Sequence, residues 1–413
     1  MIGVVGVASG QYISPGPTAD GRLSITGIPA ESELDRQIED ARWQLGPLHV
    51  DPWLGVKDVS VVSDQTDGGD DTDLTATVGA GLRAYAGNEV VWAAHVLPEY
   101  VWWEDADDKG GLAGRLGTGV FGYLNRVRFE LSWRQVEAQQ YFNAELPLLT
   151  LLETRTTRAA IEVEVVRGGF VFAYGEREDV AGDADDSLTF TTLDRSQERL
   201  VAGLGLRGRD GFEVGVAIED RSVDFERTAR SLSSDGDTVR LFVRLHRERI
   251  RAWLDIGRQE TEPTVDSRLR PFEETVGDVA VDWRASRSVE VRAFGRRDVD
   301  YAVAADVSHI VSERFGFGVR LRPGRSVIGL LAATGDDVYE PLLGGRRIDD
   351  VEELQASFQM PVGDVLRLGL RWSRIDYDSN QPAFDRDVTA YGLSLELGPL
   401  LERWNVGSAG GTW

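Results

Sequence analysis

Charged side chains recur at alternate positions between residues 126 and 134. Arg126, Arg128, Glu130 and Arg134 share this spacing, and apolar residues occupy most of the positions between them. A guanidinium group can hold a carboxylate or a phosphate through two parallel hydrogen bonds, so a row of arginines could bind or guide an anionic ligand. Successive side chains of a β-strand point to opposite faces. The stretch therefore predicts a strand with one charged face and one apolar face.

The same alternation places arginines on the polar faces of other stretches. On these faces arginines outnumber acidic residues although the net charge is -24, so the negative charge is concentrated in the connections. If the strands enclose a channel, its arginines would focus positive potential and favour an anionic solute. The alternative is that arginines and glutamates form ladders across neighbouring strands and stiffen the wall. The predicted path residues are Arg115, Arg126, Arg128, Arg134, Arg158, Arg240, Arg244, Arg292, Arg296, Arg320, Arg367, Arg371, Glu130 and Glu162.

Catalytic, metal-binding and cofactor-binding patterns are not found in the sequence. Ser308 and His309 are adjacent and would face opposite sides of a strand, which prevents a Ser–His relay. His95 shares a face with Glu99, and a hydrogen bond between polar side chains explains such a pair better than catalysis. The acidic stretch 67–71 fails the EF-hand pattern, which favours a solvated loop over a Ca²⁺ site. We predict no catalytic residue, no metal and no cofactor, and hence no enzyme.

The elements that carry these residues are strands joined by connections of alternating length. Hairpin-sized turns, as at residues 86–88 and 208–211, alternate with longer polar connections, such as 64–72, 104–110 and 138–154. Short turns on one rim and long loops on the other are typical of an outer-membrane barrel. Counting strands between connections gives about eighteen, an even number that places both barrel ends on the short-turn, periplasmic rim.

The fold class that follows is all-β, a transmembrane antiparallel up-and-down β-barrel of about eighteen strands. No apolar run reaches the roughly 18–20 residues of a spanning helix. We expect the barrel over residues 46–398, a tail over 399–413, and over residues 1–45 a periplasmic lead-in with a short helix from Ser32 to about Leu45. Packing on a nearby surface is favoured for this helix over a role as a plug. Tyr100, Trp102 and Tyr377 are predicted to form an aromatic girdle, and residues 146–152 an apolar loop.

The Arg- and Glu-lined strands, the helix before the first strand, the strand number and the absence of Cys resemble outer-membrane polysaccharide-export barrels. These are the alginate-exporter and putative beta-barrel porin types, and residues 52–56 are similar to the first strand of the latter. The resemblance covers residues 46–398 and implies an Arg-rich constriction that passes an acidic polymer, with a periplasmic export partner and contacts with lipid and lipopolysaccharide. The chain end departs from the pattern, because residues 407–411 are poor strand material before the terminal Trp413.

We therefore predict an outer-membrane channel that exports or passes an anionic solute, foremost an acidic exopolysaccharide. The alternative is a general diffusion porin for small hydrophilic solutes. A barrel enzyme or a soluble all-β binding protein is a third hypothesis, disfavoured by the missing relay residues and by the alternation of turns and loops. The strong negative charge also argues against nucleic acid as a partner.

Overall fold

The computed structural model describes residues 25–39, 41–66, 69–104, 111–141, 149–183, 194–208, 211–225, 232–265, 269–301, 307–342, 345–363 and 366–397. The predicted tail over 399–413 lies outside these residues. Within them the chain forms one α-helix, α1 (Glu31–Glu39), a 3-10 turn at Pro382–Phe384 and nineteen strands. The strands are β1 (Trp43–Leu45), β2 (Leu48–Thr66), β3 (Gly69–Gly87), β4 (Val90–Trp103), β5 (Gly111–Leu124), β6 (Val127–Tyr141), β7 (Leu149–Val166), β8 (Gly169–Asp183), β9 (Arg195–Arg207), β10 (Phe212–Phe225), β11 (Ser234–His246), β12 (Ile250–Pro263), β13 (Phe272–Arg284), β14 (Val289–Tyr301), β15 (Val307–Leu321), β16 (Val327–Pro341), β17 (Arg347–Val362), β18 (Leu366–Ser379) and β19 (Arg386–Leu397).

Strands β2 to β19 form a closed antiparallel barrel of eighteen strands, as predicted. Each strand pairs with the next along the chain, and β19 pairs with β2 between Leu397↔Leu54 and Arg386↔Thr66. The three-residue β1 pairs antiparallel with β2 beyond a tight turn at Gly46. Closure leaves no open sheet edge among the barrel strands, which lets a sheet cross a membrane with its backbone hydrogen bonds satisfied.

Residues with a positive φ form the tight turns of the short-turn rim. Asn125 adopts a positive φ of 52° in the turn between β5 and β6. Gly211 adopts a positive φ of 71° in the turn between β9 and β10. A Cβ atom on Gly211 would lie 2.1 Å from the carbonyl oxygen of His246, so no side chain fits there. Such left-handed positions are the turn signals from which hairpins are predicted.

The two faces of the wall differ as the alternation predicts. On the neighbouring strands β9, β10 and β11, the apolar side chains of Leu200, Ile218 and Val239 are 63%, 64% and 63% exposed. The adjacent inward residue Glu219 is 4% exposed, and inward Phe242 is fully buried. An exposed apolar belt around a closed barrel is the surface that contacts lipid. Among the described residues, no helix is both long enough and apolar enough to cross a membrane.

Four local predictions are wrong. The connection predicted over 64–72 is a tight one, because β2 continues to Thr66 and β3 begins at Gly69. Residues 149–152 belong to β7 instead of the predicted apolar loop. Helix α1 ends at Glu39, since Trp43 pairs with Val50 in β1. Tyr377 faces the lumen, where the guanidinium of Arg386 lies 5.7 Å from its ring centroid, whereas Tyr100 and Trp102 do lie on the outer surface.

Residues 25–39, here called the luminal segment, lie against the inside of the barrel wall. Ile28 and Leu34 are buried in an apolar cluster with inward-facing wall residues near the short-turn end. The predicted periplasmic helix therefore occupies the periplasmic mouth from within. The wall members of the cluster are Val91, Tyr123, Ala160, Phe170, Phe172, Tyr174, Val201, Ala217 and Phe242.

Candidate functional site

The candidate site is the lumen, and its first feature is an ion-pair network on β6, β7 and β8. Arg158 lies 3.6 Å from Glu130 and 3.0 Å from Glu176, and its guanidinium stacks 4.6 Å from the ring centroid of Tyr174. Arg128 lies 3.7 Å from Glu162 on the next strand. These contacts join residues that face each other across neighbouring strands, as in the predicted ladders.

A second network crosses β9, β10 and β11. Glu219 is placed between two arginines, with its Oε2 2.7 Å from Nη2 of Arg199 and 2.8 Å from Nη2 of Arg240. Arg207 bridges Glu213 at 2.5 Å and Glu162 at 2.9 Å, which connects this network to the first. Because Arg199 and Glu219 are almost completely buried, these are desolvated charges that require their partners.

The pairing continues around the wall from β11 to β14. Arg244 contacts Asp255 at 2.5 Å, and Arg296 contacts Asp298 at the same distance. Arg292, which is 2% exposed, lies 3.6 Å from Asp282. Six of the twelve predicted path arginines are thus held by carboxylates of the wall: Arg128, Arg158, Arg240, Arg244, Arg292 and Arg296.

The remaining predicted arginines are placed differently. Arg126 lies in the exposed turn between β5 and β6, at the periplasmic rim instead of on the inner wall. Arg320 faces Glu290 in the register of β14 and β15, and Arg367 faces Glu396 in that of β18 and β19. Arg371 lies on the same inward face as Arg367, four residues further along β18.

Basic side chains from neighbouring strands meet on β3 to β6, where Arg83, His95, Arg115 and Arg134 lie close together. Arg83 is the register partner of His95, and both His95 and Arg134 pair with Gly117 of β5. The imidazole lies over this glycine, because a Cβ at Gly117 would come within 2.5 Å of its Cε1. We call Arg83, His95, Arg115 and Arg134 the basic cluster.

The arginines of the basic cluster differ in their acidic neighbours, and Asp51 is the register partner of Arg83. Glu99 interacts electrostatically with Arg115. Among the residues the structure describes, no carboxylate oxygen lies within 4 Å of the guanidinium of Arg134. It interacts electrostatically with Arg115 of the cluster and, at longer range, with Glu130 and Glu178. The cluster therefore brings three arginines together, and one of them, Arg134, makes no direct contact with a carboxylate in the described wall.

The basic cluster and the networks contain residues that the sequence analysis did not select. Arg83 lay on a predicted polar face but was left out of the path, and Arg199 and Arg207 were missed. The signal was available in β9, where Arg199 and Arg207 fall on the face opposite Leu200, Leu204 and Leu206.

Polar contacts hold the luminal segment beside these networks. The hydroxyl of Tyr123 donates a hydrogen bond to the carbonyl oxygen of Pro29 at 2.9 Å, and that of Tyr85 donates to Oε1 of Gln37 at 3.0 Å. Arg158 also donates to the carbonyl oxygen of Thr26. The segment is thus attached both to the wall's apolar cluster and to its central ion-pair network.

The polar residues considered for catalysis take structural positions. Ser308 exchanges hydrogen bonds with the backbone of Arg270, at 2.9 Å from its N–H and 3.2 Å to its carbonyl oxygen. The ring of His309 packs edge-on against Phe272 with centroids 5.2 Å apart. No group of three or more potential metal ligands is found in the described part of the chain.

Comparison with known proteins relates the chain to solved barrel structures. No family model matches it, and no curated protein matches it. It is similar to Pseudomonas aeruginosa OccK2 (OpdF), with a TM-score of 0.52, 12% identity, and coverage of 85% of this chain and 97% of that one. For OccK2 in complex with glucuronate the TM-score is 0.51 and the identity is 13%, with coverage of 84% of this chain and 98% of that one. For the outer membrane protein opdK of the same organism the TM-score is 0.50 and the identity is 11%, with coverage of 84% of this chain and 98% of that one.

These likenesses confirm the barrel fold over almost the full length of the compared chains. Together with the exposed apolar belt, the fold places the barrel in a bacterial outer membrane, as predicted from the sequence.

Proposed function

We propose that the protein is an outer-membrane channel for small hydrophilic solutes, with a preference for anionic ones. The observation that carries the proposal is the basic cluster on the inner wall, where Arg134 has no carboxylate oxygen within 4 Å among the described residues. A carboxylate entering the lumen would find there the guanidinium of Arg134, which no carboxylate of the described wall contacts within 4 Å. Elsewhere in the described wall, the arginines are mostly balanced by acids and serve to hold it in shape.

Small solutes fit these observations better than the acidic polysaccharide predicted from the sequence resemblance. The luminal segment occupies part of the periplasmic mouth, which narrows the path for a polymer. One of the similar structures, OccK2, is named as a complex with glucuronate, a monomeric sugar acid. The predicted partners, lipopolysaccharide and a periplasmic export protein, stay predictions.

A general diffusion channel with little charge preference is the second candidate. The extensive Arg–carboxylate pairing favours it, because a balanced wall exerts a weak net field on a passing ion. In the first candidate Arg134 attracts anionic solutes into the lumen. In the second its charge has little effect on which solutes pass.

The test is the swelling rate of proteoliposomes in isotonic glucuronate and in glucose, which have similar size and different charge. We expect faster entry of glucuronate relative to glucose, and loss of this preference in Arg134→Glu. The matched control is Arg287→Glu, in the exposed turn between β13 and β14 at the periplasmic rim. A preference that survives in Arg134→Glu would refute the anionic part of the proposal and leave the general diffusion channel.

A further inference from the structure

The inner wall contains an apolar receptacle that an open aqueous channel does not need. Phe170, Phe172 and Phe242 face inward on β8 and β11, and each is less than 5% exposed. Lumen-facing positions of large barrels are normally polar, because they contact water. Here they belong to one packed apolar cluster with Ile28 and Leu34 of the luminal segment. The apolar residues of the receptacle and the apolar side chains of the segment therefore shield each other from water.

The segment is held without being part of the sheet. Its bonds to the wall include those from the side chains of Tyr85, Tyr123 and Arg158, and no strand ladder among the described residues includes it. The barrel closes through β2 and β19 independently of it. A change in the segment can therefore alter the passage while the barrel stays intact.

Three carboxylates line one exposed side of α1, and Arg36 of the same helix is exposed as well. Glu31, Asp35 and Glu39 are spaced four residues apart, which puts them on one side of a helix, and all three are exposed. Leu34 and Ile38 lie on the wall side, packed in the apolar cluster. Because the helix lies in the periplasmic mouth, the three carboxylates border the space left beside it. We call them the acidic stripe.

We propose that the luminal segment is the specificity element of the channel: it narrows the periplasmic mouth, and its acidic stripe sets the charge of the solutes that pass. Charged side chains at a constriction determine ion selectivity. The basic cluster favours anions, whereas the stripe repels them at the mouth. The segment thus restrains the anion preference of the wall. This inference rests on the proposed function, since it requires a conducting channel.

The charge of the stripe is tested by planar-bilayer recordings of the full chain under a KCl gradient. In the triple variant Glu31→Gln, Asp35→Asn, Glu39→Gln, the chloride-to-potassium permeability ratio should rise by a factor of about two to ten, because ions passing within a Debye length of about 10 Å lose the repulsion of three charges. The control Glu89→Gln, Glu248→Gln removes exposed carboxylates from periplasmic turns and should leave the ratio unchanged.

The narrowing of the periplasmic mouth is tested with Leu34→Asp, which puts a charge into the apolar cluster and disfavours packing of the segment against the wall. Single-channel conductance should rise about twofold or more, because a helix with its side chains is about 10–12 Å across. Leu34→Met, which keeps the apolar contact, should conduct as the wild type does.

A triple variant with the wild-type permeability ratio, or a Leu34→Asp variant with the wild-type conductance, overturns the proposal. Both results would leave the proposed function standing if the wild type itself conducts. A folded wild-type barrel that passes no small solute would instead refute the proposed function.

Discussion

Glu219 is the residue whose removal tests the ion-pair networks most severely. It contacts Arg199 and Arg240 at 2.7 and 2.8 Å, and the side chains of Glu219, Arg199 and Arg240 are only 2%, 5% and 11% exposed. Glu219→Gln keeps the shape of the side chain and removes its charge. Two desolvated guanidinium groups then lose their shared partner, for which we expect a loss of about 3–5 kcal/mol in the free energy of unfolding.

The matched control is Glu198→Gln on the neighbouring strand. Glu198 contacts Arg177 at 3.3 Å, but its side chain is 65% exposed and that of Arg177 is 57% exposed. Exposed pairs of this kind contribute about 0–1 kcal/mol. The assay is urea unfolding of the two variants and the wild type in lipid vesicles at one pH and ionic strength. Equal losses in Glu219→Gln and Glu198→Gln would refute the reasoning that buried wall charges require their partners.

Three further predictions concern the lipid face, a turn and the luminal segment. Ile218→Arg puts a charge on the apolar belt and should lower the free energy of unfolding in vesicles by up to about 2–4 kcal/mol, whereas Ile218→Leu should be nearly neutral. Gly211→Ala places a Cβ against the carbonyl of His246, so a smaller fraction of refolded protein should show the heat-dependent gel shift of a closed barrel; an unchanged fraction would contradict the strain. Tyr123→Phe removes the hydrogen bond to Pro29, worth about 1 kcal/mol, and residues 25–39 should become more sensitive to protease, while equal cleavage rates would contradict this role.

Much of the barrel follows from the sequence because alternation is a local property. Val239 and Arg240 already differ in the face they occupy, and turn residues such as Gly211 mark where the chain reverses. The helix end was missed because Trp43 continues the apolar spacing of Leu34 and Ile38, although it pairs with Val50 in β1. Sequence spacing alone does not separate a fourth helical turn from a short strand.

The location of the luminal segment depends on residues far apart in the sequence. Val91, Phe170 and Phe242 contribute to its receptacle from strands β4, β8 and β11. Each is an apolar residue on a polar face, which by itself resembles an ordinary exception to the pattern. Their proximity arises only when the barrel closes, so the sequence favoured packing on a nearby surface over a plug.

The pairing of the arginines also depends on closure. Glu219 contacts arginines from the strands on both its sides, and Arg207 reaches Glu162 two strands away. Register and strand tilt decide which charges meet, and neither can be derived from the spacing of one strand. The sequence therefore identified the charged face but could not separate the balanced networks from the basic cluster.

The central claim is that the lumen passes small hydrophilic solutes and excludes long polymers. Proteoliposomes that contain the folded barrel should be placed in hypertonic solutions of a monomeric sugar acid and of a long-chain polymer of the same sugar acid. The vesicles should shrink and then swell back in the monomer as it enters, and they should stay shrunken in the polymer. Equal entry of monomer and polymer would contradict the account and favour polysaccharide export, and entry of neither would contradict an open channel.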